Sequence, residues 1–177
     1  MKQATVFAAL VLGSSQVIAN VNLNTLEWMV INDSVMGGVS NSKVVVNGHS
    51  LTFVGNVSLA NNGGFASFRA PHSFENMSLD SLRVRVQGDG KVYQLRLRVD
   101  GYYDGPAFVH RFKTEPGQEQ ILNLTEQDFT LMFRGRTFES DYQFNFNDVR
   151  SIGFMISGKQ AGEFELQVKQ LQLSQKI

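Results

Sequence analysis

Cysteine is absent from this 177-residue chain, which excludes a disulfide framework and any thiolate-held metal. The absence does not mark the chain as cytosolic, because exported proteins also dispense with cysteine. Net charge is absent as well: 16 Lys and Arg balance 16 Asp and Glu, and no run of five like charges occurs. Sequence-independent nucleic-acid binding rests on neutralising phosphates with excess positive charge, so nucleic acid is excluded as an expected partner. Proline is scarce, with Pro71, Pro106 and Pro116 each beside a turn, and no interior linker, repeat or low-complexity stretch divides the chain. Catalytic signatures are missing. His49, His72 and His110 lack metal-ligand spacing, and Gly-x-Ser-x-Gly, the mark of a nucleophile elbow, does not occur. The chain is therefore not expected to be an enzyme.

Long apolar runs are missing too, with one short exception. Ala4 to Leu12 is apolar apart from Thr5, Lys2 precedes it, and Val17-Ile18-Ala19 ends in a small residue after Gly13, Ser14, Ser15 and Gln16. Charged, apolar, then small is the order of a secretory signal, and the run falls well short of the roughly 20 residues of a spanning helix. No arginine precedes Arg69, which argues against a mitochondrial presequence. The expectation is a signal peptide over residues 1–19, cut after Ala19. A single domain over residues 20–177 would follow, periplasmic or secreted, with no transmembrane segment in the mature chain. Sequons start at Asn32, Asn56, Asn76 and Asn123; the first lies in the most distinctive motif described below, where a glycan would obstruct it, favouring a bacterial setting.

What is present is period-two alternation. Leu82, Val84 and Val86 alternate with Arg83 and Arg85; Tyr93, Leu95, Leu97 and Val99 alternate with Gln94, Arg96 and Arg98; Ile152, Phe154 and Ile156 form a third set. Such patterns mean half-buried strands. In the last set, Phe164, Leu166 and Val168 give way to Leu171 and Leu173, so a bulge near Lys169–Gln170 is needed to keep one face inward. Turn signals such as Asn47-Gly48, Asn62-Gly63-Gly64, Asp100-Gly101 and Pro116-Gly117 separate the sets. Many short strands at this spacing predict an all-β sandwich or barrel. The one helical turn expected follows Thr125, capped by that residue with Asp128 three positions on.

Alternation fails in four segments where glycine and polar residues gather. They are Trp28 to Ser40 with its Asn32-Asp33-Ser34-Val35-Met36-Gly37-Gly38-Val39-Ser40 string; Asn61 to Arg69; Gly88-Asp89-Gly90-Lys91-Val92-Tyr93; and Phe133-Arg134-Gly135-Arg136 with Gly153 to Phe164 further on. This set, in this order, resembles the domain of the complex I intermediate-associated protein 30 family over about residues 28–173. The resemblance implies a jelly-roll β-sandwich, galactose-binding-domain-like and similar to many carbohydrate-binding modules. It also implies an assembly-factor role, since mitochondrial members act as chaperones on intermediates of NADH:ubiquinone oxidoreductase and are not enzymes.

The candidate binding residues come from these segments. Asn32, Asp33 and Ser40 form either a polar loop offered to a ligand or a buried turn fastening the first strand, with Met36 plugging the core. Asn62-Gly63-Gly64 has the chemistry of a tight hairpin, flanked by Phe65 and Phe68 as core. Arg69 could pair with Asp33 or Asp89, or touch a ligand. Gly88-Asp89-Gly90-Lys91 lacks the earlier glycine and the Ser or Thr of a phosphate loop and reads as a turn between strands. Arg134 and Arg136 could make an anion site, with Lys159 and Gln160 lining the same surface. Asp100 and Asp104 miss the alternating-oxygen pattern of a calcium loop; a structural calcium ion, frequent in similar jelly rolls, stays open, and no other cofactor is expected. A protein partner is expected, with a glycan as the alternative. Exposed aromatics such as Tyr102, Tyr103 and Tyr142 would favour sugar stacking. Outward arginines would favour an anionic partner, and Arg83, Arg85, Arg96 and Arg98 are expected on the wet side of two adjacent strands.

Overall fold

The computed structural model describes residues 15–74, 79–101, 105–137 and 139–176. The first fourteen residues of the expected signal, together with Asn76, Tyr102, Tyr103 and Asp104, lie outside them. Alternation is realised as thirteen strands among the described residues: β1 (Ser15–Asn20), β2 (Met29–Asn32), β3 (Asn41–Asn47), β4 (Ser50–Val57), β5 (Ala66–Pro71), β6 (Ser81–Gly88), β7 (Val92–Arg98), β8 (Ala107–Lys113), β9 (Glu119–Leu124), β10 (Thr130–Phe133), β11 (Arg136–Thr137), β12 (Ser151–Ile156) and β13 (Gly162–Lys176). All strand pairs are antiparallel. One sheet runs β3-β4-β13-β6-β9, with β1 against the far end of β13; the other runs β11-β10-β8-β7-β12-β5-β2. This is the expected all-β jelly-roll sandwich.

The inward phase of each strand builds the core. Phe53 on β4 meets Phe68 on β5 with ring centroids 4.6 Å apart. Phe53 also meets Phe164 on β13 at 4.7 Å, and Phe68 meets Phe154 on β12 at 5.5 Å. Two rings from each sheet thus interlock, each worth roughly 2–3 kcal/mol in burial. Trp28 closes one side against Phe68 and donates its indole N–H to the Leu23 carbonyl.

The expected bulge is present: β13 pairs with β6 in regular register except between Val168 and Gln170. Asn47-Gly48 turns the β3–β4 hairpin. The turn after Thr125 is one 3₁₀ turn, Glu126–Asp128, and the Asp128 carboxylate accepts from both the N–H and the hydroxyl of Thr125.

Three expectations fail. Asn62-Gly63-Gly64 does not turn a hairpin: β4 and β5 belong to opposite sheets, so the segment carries the chain across the sandwich. The turn at Gly88-Asp89-Gly90 likewise links β6 and β7 in opposite sheets, so Arg83 and Arg85 lie on one sheet and Arg96 and Arg98 on the other. Met36 does not plug the core but is 69% exposed. No described helix is long and apolar enough to cross a membrane.

Candidate functional site

Asp33 decides how the Trp28–Ser40 motif works. It opens a 3₁₀ turn, Asp33–Met36, directly after β2 and is fully buried. Its carboxylate accepts the Ser40 N–H at 2.9 Å, the Ser40 hydroxyl, the Gly64 N–H at 2.7 Å and the Phe65 N–H at 3.3 Å. Desolvation pushes its pKa up, but the hydrogen bonds from Ser40, Gly64 and Phe65 outweigh that and hold it below the ordinary value. Gly38 is required by this packing: a Cβ there would sit 2.4 Å from Asp33 Cγ. Asn32 accepts from the Ser42 hydroxyl at 2.7 Å, and Asn61 donates across to the Gly37 carbonyl. Asn32, Asp33 and Ser40 are therefore struts joining β2, β3 and the β4–β5 crossing. The polar groups are consumed internally, and the loop they fix turns apolar side chains outward: Val35 and Met36 are each 69% exposed and Val39 is 53% exposed.

Asp89 plays the same part at another corner. It accepts from the Lys91 N–H at 3.1 Å, the Lys91 ammonium at 3.1 Å, the Tyr93 hydroxyl at 2.9 Å and the Glu165 N–H at 3.1 Å. Burial raises its pKa and these donors, led by Lys91, bring it below the ordinary carboxylate value. Tyr93, buried beside that carboxylate, is pushed up. Gln160 exchanges two hydrogen bonds with the Val92 backbone, each 2.8 Å, and pins the β12–β13 loop to the start of β7. Lys159 occupies a left-handed turn position, φ 61°, in that loop.

Arg134 takes a left-handed conformation, φ 48°, in the two-residue β10–β11 turn, with its guanidinium 5.1 Å from the Phe133 ring centroid. Arg136 follows on the exposed two-residue strand β11. This hairpin adjoins the Ala107 end of β8, whereas Val92 beside Gln160 pairs with Lys113 at the other end. Six residues of strand, about 20 Å, separate them, so Arg134 and Arg136 do not share a surface with Lys159 and Gln160.

Arg69 pairs with neither acid; the partners of Asp33 and Asp89 are those just named. It lies on β5 in register with Gly153 of β12, which is in register with Arg96 of β7. All three occupy the outward phase of the seven-stranded sheet. Arg96 donates to Gln94 Oε1 at 2.7 Å, and Gln94 donates to the Ser157 hydroxyl at 2.8 Å. Desolvation, then the charges of Arg98, Arg69 and Arg111, push Arg96 down to about 10, so it stays a cation at neutral pH. Arg111 on β8 is exposed and in register with Gln94. Beside this row Ala107, Val109 and Met132 form a small apolar cluster of their own, separate from the core. An open hollow of about 540 Å³ is lined there by Val109, Arg111, Thr130 and Met132 among others.

The nine candidate residues thus do not converge. Five are struts or turn residues of two corners, Arg134 and Arg136 ride one edge hairpin, Lys159 marks a loop and Arg69 joins the arginine row. Sequence reasoning missed Gly153 in that row, Arg111 on the neighbouring rung of the same face, and Val35, Met36 and Val39 at the rim. The signal for Arg111 was available, since Val109, Arg111 and Lys113 share one phase of β8. Tyr142 is 45% exposed but bonded to Asp148 and against the Phe108 ring, away from the arginine row. Among the described residues no group of three His, Cys, Asp or Glu side chains gathers.

The family model for complex I intermediate-associated protein 30 matches residues 18–168. The chain belongs to the complex I intermediate-associated protein 30 family. Its distinctive string is thus the Asp33-centred corner described above. No curated protein sequence matches the chain. Among solved structures this family member is similar to a family 11 carbohydrate-binding module from Clostridium thermocellum in complex with a β-1,3-1,4-mixed-linked tetrasaccharide, with TM-score 0.61 at 11% identity over 89% of this chain and 94% of that one. It is likewise similar to the family 11 module of a cellulosomal cellulase of Clostridium thermocellum, with TM-score 0.60 at 12% identity over 90% and 94% of the two chains. An agarase matches at TM-score 0.54 and 11% identity, over 90% of this chain and 24% of its own. At such identities the likeness establishes the fold, a galactose-binding-domain-like jelly roll.

Proposed function

We propose that this protein is a non-catalytic binding module of the assembly-factor kind, exported from the cytoplasm, that holds a protein partner against the loop Asp33–Ser40. One observation carries this reading: the family's own motif buries Asp33 and Ser40 in the fold and holds Val35, Met36 and Val39 out in water. Apolar side chains on a rigidly fixed loop are surface suited to another apolar surface, and family membership supports a chaperone-like use. Asp33 and Asp89, offered by the sequence as candidate binding residues, serve as hydrogen-bond acceptors inside the fold.

A photo-crosslinking residue at Val39 tests this in cells. A discrete crosslinked partner, lost when Val35 and Met36 are both changed to Ser, supports the reading. Saturable glycan binding with no protein crosslink would support the second reading, a carbohydrate-binding module of the cell envelope. That reading draws on the fold shared with sugar-bound modules. Against it, the outward positions of the seven-stranded sheet carry no aromatic ring among the described residues. N-terminal sequencing of protein recovered from the periplasm tests export, with Asn20 as the expected first residue; that cut would leave only Asn20 of β1.

A further inference from the structure

The main path of each sheet ends on two strands: β3 and β9 in one, β11 and β2 in the other. β11 and β2 are short, at two and four residues, and β9 opens on the charged Glu119. Short or charged edges resist pairing with another chain. β3 differs. It is seven residues long, without proline and without a bulge against β4, and it carries Val44, Val45 and Val46 in succession with Lys43 as its one charge. Val45 is 38% exposed and Val46 39%, while Val44 is half-buried against the core. The two-residue loop Gly48-His49 closes on the pair Asn47–Ser50. Asn47, Val45 and Lys43 therefore direct their backbone groups to β4, and Val46 and Val44 turn theirs to the open edge. Among the described residues nothing else bonds to those groups. At the other end of the strand the Ser42 hydroxyl donates to Asn32 of β2, which leaves Lys43 to Asn47 as the accessible stretch.

We propose that two copies of this chain pair through β3, antiparallel, about a two-fold axis at Val45. In that register Val44 and Val46 exchange backbone hydrogen bonds with Val46 and Val44 of the second copy. Val45 faces its own counterpart on the outward side, and Lys43 faces Asn47. Every valine meets a valine and no two charges oppose, the pairing that stabilises a strand edge. Moving the axis to Val44 would instead set polar Ser42 against Val46. The axis runs through the sheet, so the inward side of one copy continues into that of the other, and Val44 and Val46 gain cover. A second copy fits this edge better than a loose segment of another protein. β3 is already held extended by β4 and loses little conformational freedom on pairing, which a loose segment would lose. Zero net charge leaves no long-range repulsion between copies. The pairing uses the same edge on both partners, so it closes at two. Val35, Met36 and Val39 do not enter it, so this proposal and the loop's protein partner can fail separately.

The test is sedimentation velocity on protein expressed from the full sequence, at concentrations rising to roughly 100 μM, where a small interface dimerises. A monomer–dimer equilibrium is expected. Val45→Lys and Val45→Glu each oppose like charges across the axis and are each expected to weaken the dimer about tenfold. An equimolar mixture of the two restores the dimer, because Lys then faces Glu, and that restoration also shows that both variants fold. Ile121→Lys, at an exposed position of the edge strand β9, leaves the equilibrium unchanged, as does changing Val35 and Met36 together to Ser. The proposal is overturned by a monomer throughout the range, by a dimer indifferent to Val45→Lys, or by a mixture that stays monomeric. The first of these would leave the edge to a strand from another protein.

Discussion

Arg69 and Arg96 flank Gly153 in a single row, each in register with it from a neighbouring strand. With strands spaced about 4.8 Å apart, the two arginine backbones are roughly 10 Å apart, and the glycine between them offers no side chain of its own. A Cβ at Gly153 would sit 2.5 Å from the Phe68 carbonyl oxygen and 2.7 Å from Arg69 Cβ. Backbone and Cβ atoms cannot swing aside as a side-chain tip can. Gly153→Ala is therefore expected to lower stability by about 1–3 kcal/mol, read as a lower urea midpoint with unchanged slope.

Asp33 makes a second prediction, and its pH dependence has a definite sign. Asp33→Ala leaves the Ser40, Gly64 and Phe65 N–H groups without their acceptor in a fully buried site. A loss of at least ~3 kcal/mol at neutral pH is expected from orphaned donors. Because the folded pKa lies below the ordinary one, the carboxylate stabilises the fold fully above its unfolded value of about 3.9. That contribution is lost as pH falls through the depressed folded value. The gap between wild type and Asp33→Ala should narrow steadily from about pH 5 downward in urea titrations. Asp89 and Asp128 are depressed in the same direction, so the variant should still lose stability in acid, on a shallower slope. A gap that widens in acid would contradict the assigned role.

Local patterns made the sandwich legible because they report which face of a strand is dry. Alternation in 82–86, 93–97 and 152–156 marked inward residues that are buried in the structure, with Val99 half-buried beyond them; Thr125 with Asp128 marked one helical turn, but three further 3₁₀ turns, Asp33–Met36, Ala60–Asn62 and Phe146–Asp148, stand among the described residues. Alternation does not say which sheet a strand joins. That is why Arg83 and Arg85 were expected beside Arg96 and Arg98, and why the Asn62–Gly64 crossing looked like a hairpin. The motif itself was legible as a family mark but not as a geometry. Whether Asp33 faces a ligand or three backbone N–H groups depends on Gly64 and Phe65, more than thirty residues away, and whether Met36 is core or rim depends on where that corner sits in the sandwich.

The contrast between rim and core is measurable. Met36→Ser, at a position 69% exposed, is expected to change stability by no more than about 0.5 kcal/mol. Phe68→Ala removes a ring that touches Trp28, Phe53 and Phe154 and is expected to cost about 3–5 kcal/mol. Thermal melts of the two variants settle the matter. A Met36→Ser protein as damaged as Phe68→Ala would return Met36 to the core and remove the basis for a partner-binding loop.

The bulge in β13 yields the sharpest prediction, because two deletions three residues apart should have opposite outcomes. Across β6, Val168 pairs with Val86 and Gln170 with Arg85, so Lys169 is the residue in excess. Deleting Lys169 leaves Val168 inward, Gln170 outward and Leu171 inward, an unbroken period of two. What is lost is a local bend and the Lys169 ammonium contacts to Gln87 and Glu119, partly exposed interactions worth little. Deleting Gln172 instead places Leu173 next to Leu171 and turns it out of the core, where it is 1% exposed in the native fold, and reverses every side chain beyond it. The Lys169 deletion is expected to fold with a loss under ~2 kcal/mol, and the Gln172 deletion to be insoluble or unfolded by circular dichroism. Should the Lys169 deletion fail as well, the bend would itself be required, as the device that lets one long strand pair with β4 along its first half and follow β6 as far as Ser174.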